Sequence, residues 1–99
     1  MIRGTTPTLR FSLPFDSSLL DKLFITAAQD GKTAFEKVLS DCVLEDTLVT
    51  CKLSQADTLA LDAEMPTEIQ VRCKTVNGDA PASHIFMVNT ERILKDGEI

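Results

Sequence analysis

In the stretch Thr67-Glu68-Ile69-Gln70-Val71-Arg72-Cys73-Lys74, the apolar residues Ile69, Val71 and Cys73 alternate with Glu68, Gln70, Arg72 and Lys74. Successive side chains of a strand point to opposite faces, so this segment has one dry face and one wet face. A half-wet strand must lay its dry face on a second layer. That requirement, repeated along the chain, narrows the fold to a packed antiparallel β domain.

The pattern does recur. Thr8–Leu13 places Leu9, Phe11 and Leu13 on one side until Pro14 stops the ladder. Asp16 or Ser17 is suited to capping a short helical turn. Lys22–Gln29 turns Leu23, Ile25 and Ala27 inward, and Asp30-Gly31 supplies a two-residue hairpin turn. The third strand, Thr33–Leu39, fits either phase: Phe35 with Lys37 inward, or Ala34, Glu36 and Val38. Cys42-Val43-Leu44 can pair across Glu45-Asp46 with Leu48–Leu53, whose dry face is Val49, Cys51 and Leu53.

Ser54 followed by Asp57 predicts a capped helical turn, anchored by Leu59 and Leu61. After Thr67–Thr75, Asn77-Gly78 is the strongest hairpin signal in the chain, and Ser83–Asn89 is its expected partner strand. There Ile85 and Met87 share a face with Ser83, while His84, Phe86 and Val88 share the other. Six to seven strands with one short helical turn suit two packed sheets, a single immunoglobulin-like antiparallel β-sandwich over residues 1–99. The disulfide, buried Trp and tyrosine corner of true immunoglobulin domains are missing, so the likeness is one of architecture.

Composition removes several function classes. The net charge of −5 and the scattered basic residues disfavour phosphate binding, so no nucleic-acid partner is expected. With no Trp and no Tyr, a sugar-stacking platform is disfavoured. No window reaches the ~18–20 apolar residues that span a bilayer, and Met1–Pro7 is not followed by the apolar run of a secretory signal. No membrane partner is expected, and the chain reads as made and left in the cytoplasm or carried out within something else.

Chemistry-bearing residues are few. Cys42, Cys51 and Cys73 fit no metal spacing. Cys51 and Cys73 read as reduced core residues, with a Cys51–Cys73 bridge across the core as the alternative. His84 is the only histidine and has no partner motif. Asp57, Asp62, Glu64 and Glu68 form an acidic rim that matches no calcium loop and reads as a solvated surface. The four glycines never combine into a phosphate cradle. The residues therefore point to a non-enzyme without catalytic residues, cofactor or metal. Phe24 and Phe86 fall opposite the cleanest apolar alternation of their own strands, which makes them candidate protein-contact residues.

The order of motifs also carries a resemblance. Leu9-Arg10-Phe11-Ser12-Leu13-Pro14-Phe15-Asp16, Leu53–Leu59, Glu68–Arg72, Asn77-Gly78-Asp79 and Ile93-Leu94-Lys95-Asp96-Gly97 together resemble a family of small phage and prophage proteins of Gram-positive gut bacteria. More distantly, they are similar to the immunoglobulin-like amino-terminal domain of phage baseplate upper proteins. The resemblance implies a virion structural or accessory protein, a decoration or adaptor on head, neck, tail or baseplate. Such a protein is assembled in the bacterial host cytoplasm and works through contacts with other virion proteins or with itself. The alternative is a ligand-binding module for a carbohydrate or host factor, with the Asp57–Glu68 rim as its site.

Overall fold

Two antiparallel sheets account for every strand of the computed structural model, which describes residues 1–99. In chain order the strands are β1 (Thr8–Ser12), β2 (Leu20–Gln29), β3 (Lys32–Val38), β4 (Val43–Glu45), β5 (Leu48–Lys52), β6 (Pro66–Thr75) and β7 (Phe86–Asn89). One sheet has the order β1-β5-β4 and the other β3-β2-β6-β7. A five-residue helix, α1 (Gln55–Leu59), carries the chain from β5 across to β6. The molecule is an all-β sandwich. Lettered from B onward, the strands give B-E-D in one sheet and C′-C-F-G in the other, the immunoglobulin order. In that order strand A lies beside B, which here is β1, an edge strand.

The core follows from the alternation. Ile69, Val71 and Cys73 of β6 and Leu23, Ile25 and Ala27 of β2 meet Val49, Cys51 and Leu53 of the facing sheet. Leu61, just past α1, is also buried. Across β2 and β6, Ile25 lies opposite Val71 and Ala27 opposite Ile69, so dry residues pair with dry. The Asp30-Gly31 turn forms as read, both residues at positive φ (50° and 75°), which matches the twist of the β2–β3 hairpin. At α1, Ser54 Oγ accepts from the Asp57 N–H and Asp57 Oδ2 accepts from the Ser54 N–H, at 3.1 and 2.8 Å. That reciprocal pair is the capping box the sequence predicts.

Buried polar groups are tied down. Gln29 continues the inward phase of β2, and its Nε2 donates to the Asp62 carbonyl and to Thr67 Oγ1, while its Oε1 accepts from the Asp62 N–H. Thr67 and Thr90 share a hydrogen bond of 2.7 Å between their hydroxyls. Arg3 donates to the carbonyls of Leu61 and Leu59, satisfying acceptors left over at the end of α1. Met1–Arg3 also joins the far end of the chain. The Arg3 N–H donates to the Glu91 carbonyl, the Glu91 N–H to the Met1 carbonyl, and Ile2 bridges Glu91 in parallel.

Two register irregularities bear on the sequence reading: one settles an open phase and the other reverses an expected one. In β3, Ala27 pairs with Phe35 but Ala28 pairs with Thr33, so Ala34 is an extra residue. Phe35 is buried and Lys37 half-buried while Glu36 and Val38 are exposed, so the phase with Phe35 and Lys37 inward holds, and the bulge leaves Ala34 half-buried beside it. The second lies after the Asn77-Gly78 turn. Ala82 bridges Arg72, yet Phe86 pairs with Ile69, a shift of one residue in register. On either side of Ala82, Pro81 offers only its carbonyl, to the Cys73 N–H, and Ser83 binds Val71 through both its N–H and its Oγ. The regular strand therefore starts at Phe86, not at Ser83. A one-residue slip moves side chains to the other face, so Phe86 and Val88 face inward while Ile85 and Met87 face out, the reverse of the expected phase.

Candidate protein-contact surfaces

Phe24 and Phe86 end on different faces of the same sheet. Phe24 lies opposite Arg72 and Val38, on the wet outer side, with both apolar members of that group exposed (39% for Phe24, 38% for Val38). Phe86 lies opposite Ile69 on the inner side, yet 47% of its surface is accessible because β7 is a sheet edge. The structure does not bring the two together. What gathers around Phe86 is a set of residues whose partial exposure is invisible in the sequence.

Along the side where β1 and β7 are the outermost strands, the sandwich is open. Phe11 of β1 meets Phe86 with ring centroids 6.3 Å apart and planes tilted by 43°. On one side of this pair lies a cavity of about 300 Å³, lined among others by Leu13, Phe15, Val71, Cys73 and Pro81. On the other lies one of about 220 Å³, lined by Leu9, Ile69 and Val88 with Arg10, Phe11 and Phe86. Arg10, Phe11 and Phe86 border both, so the two are lobes of one groove between the sheets. Its accessible walls are the half-buried Leu9, Phe11, Leu13, Phe15 and Val88 with the exposed Phe86, laid over the buried Ile69, Val71 and Cys73, and Arg10 is the single charged residue at it.

The rims of this groove are main chain. The Leu53 N–H donates to the Pro7 carbonyl and the Leu13 N–H to the Thr47 carbonyl. These bonds fix the phase of β1: its odd-numbered residues bond β5, while the N–H and C=O of Thr8, Arg10 and Ser12 point away from the sheet. On the opposite rim, Asn89 and Glu91 bond Met1–Arg3 on the outer side of β7. The same phase turns the N–H and C=O of Met87 outward.

The acidic rim is dispersed. Asp57 is engaged by Lys37, Nζ to Oδ2 2.6 Å, with side chains only 18% and 14% exposed. Burial alone raises the Asp57 pKa, but the hydrogen bonds from Lys37 and Ser54 outweigh it and hold the carboxyl below its ordinary value. The bond to Asp57 raises the Lys37 pKa against the opposing effect of burial. Glu68 sits on the outer face of β6 opposite Met87. His84 is exposed, next to the bulge.

The cysteines are arranged in a way the sequence reading missed. All three are free. Continuing the β4–β5 register from Val43↔Thr50 by one residue sets Cys42 opposite Cys51, and the Cys42 thiol donates to the Val38 carbonyl at 3.5 Å. Burial, followed by the neighbouring Cys51, pushes the Cys42 thiol up to about 12. Cys73 belongs to the other sheet and lines the groove. The signal was available in the β4–β5 register, because 42 and 51 sum to the same number as 43 and 50.

No protein family, no curated protein and no solved structure matches this chain.

Proposed function

We propose that this protein is a non-enzymatic adaptor or decoration of a phage particle, acting through protein–protein contacts. The observation that supports the reading best is the groove between β1 and β7, where half-buried apolar side chains and the unpaired edge of β1 lie open together. A small domain that leaves an apolar fringe of its core accessible along one edge gains stability by docking there. The virion setting rests on the sequence resemblance. Particles purified from the phage that encodes the chain are the direct test: mass spectrometry should find the protein at a fixed copy number per particle after stringent gradient purification. Its absence from such particles sinks the virion reading.

A further inference from the structure

We infer that the groove between β1 and β7 accepts an extended segment of a partner protein, which adds to the three-stranded sheet as a strand beside β1. The inference rests on reading this domain as a protein-contact module, and it names the chemistry of the contact.

Three observations select a strand as the occupant. First, the rim of β1 presents the outward N–H and C=O groups of Thr8, Arg10 and Ser12 in the spacing that a neighbouring strand bonds. Pro7 and Pro14 bound this edge, so the added strand is five or six residues long. Second, alternate side chains of such a strand point into the groove. A dry cavity of about 150 Å³ holds a benzene ring, so the larger lobe takes two aliphatic side chains and the smaller one takes another. A helix is about 10–12 Å across with its side chains, whereas strands in one sheet sit about 4.8 Å apart. The place beside β1 therefore suits a strand. Third, the outward-facing side chains of the added strand stand next to Thr8, Arg10 and Ser12. Arg10, the only charge at the groove, favours an acidic residue there.

The other edges are less receptive. β3 carries the Ala34 bulge with Lys32 and Glu36 on it, and β4 is three residues long. The end of β7 is already paired by Met1–Arg3. The partner segment is thus apolar at alternate positions and acidic or polar between them.

The test titrates the full 99-residue chain with the capped hexapeptide Val-Asp-Val-Thr-Val-Thr, read by amide NMR and hydrogen exchange. The inference expects shifts confined to residues 8–15, to Ile69, Val71 and Cys73 and to residues 81–88, and at least about tenfold slower exchange of the Thr8, Arg10 and Ser12 amides at saturation. N-methylation of the peptide at its Val positions or at the intervening ones must cost at least about tenfold in affinity, since one of the two sets faces β1. Arg10→Glu, at an exposed position, should weaken this peptide and strengthen the version with Lys in place of Asp. No shift at millimolar peptide, shifts centred on Phe24 and Val38, or indifference to both methylation patterns overturns the inference. Protection of the same amides that rises with protein concentration alone assigns the edge to a second copy and also overturns it. Finding the protein in virions while these results fail would leave the adaptor reading standing without the strand.

Discussion

The ion pair between Lys37 and Asp57 lends itself to a quantitative prediction, because its two ends are supported unequally. Asp57 also accepts from the Ser54 N–H at 2.8 Å, so it keeps a donor when Lys37 is removed. Lys37 has no second carboxylate within salt-bridge distance. Breaking one side of a fully buried pair costs about 3–5 kcal/mol, and the residual exposure of 18% and 14% brings this pair to about 2 kcal/mol. Asp57→Ala also removes a helix cap worth about 1 kcal/mol, for a total of about 3 kcal/mol. Lys37→Met keeps the aliphatic stem and leaves a capped carboxylate, at a cost of about 1–2 kcal/mol. With a urea slope of about 1–1.5 kcal/mol per molar for a domain this size, Asp57→Ala should lower the midpoint by about 2 M and Lys37→Met by about 1 M.

The chain has no Trp or Tyr, so far-UV circular dichroism is the natural probe. The pH dependence gives an independent check. The Asp57 pKa is lowered on folding, so its contribution is complete above the unfolded value of about 3.9 and is lost as pH falls from there through the folded value. The Lys37 pKa is raised, so its contribution is complete below about 10.4 and disappears as pH climbs past that. Asp57→Ala should flatten the acid arm of the stability profile. Equal losses for the two variants, both under about 0.5 kcal/mol, would refute the reasoning and place the pair among weak surface bridges.

Further outcomes follow from buried groups. Oxidised glutathione should join Cys42 to Cys51, the two thiols giving up their hydrogens to one oxidised glutathione, which leaves as two reduced molecules, while Cys73 stays free on peptide mapping; a Cys51–Cys73 link would contradict the register. The attacking species is a thiolate, so with Cys42 pushed up to about 12 the rate should rise about tenfold per pH unit through the mildly alkaline range. Gln29→Leu should cost about 1–2 kcal/mol in chemical denaturation, because Thr67 keeps its bond to Thr90 and the exposed Asp62 backbone can be rewetted. A loss above about 4 kcal/mol would show that the Asp62 turn depends on this amide alone.

The sequence was most readable where one residue follows another without interruption. β6 keeps strict alternation through Thr67, Ile69, Val71, Cys73 and Thr75, all buried, and the Ser54–Asp57 cap is written in four consecutive residues. At the bulges, reading left β3 open between two phases and took the wrong face before Phe86. Ala34 and the residues just before Phe86 each add one unpaired position, and a side-chain period of two converts one extra residue into a change of face. Phe86 was therefore singled out for the wrong face, and its place in the groove came only with the register. The groove itself depends on which strands lie at the edges, a property of sheet order that no local window contains.

The clasp of Met1–Arg3 on Asn89–Glu91 has a kinetic side. It joins positions up to 88 residues apart, and the pairing of β1 with β5 and of β2 with β6 is also remote in sequence. Such contacts form only after long loops close, which places the domain among slow-folding β topologies, in milliseconds to seconds. During synthesis the opening residues emerge first yet have nothing to bond until the closing strand arrives. Met1–Arg3 is therefore unpaired for the whole interval in which the chain is growing, and the clasp is the last pairing to close.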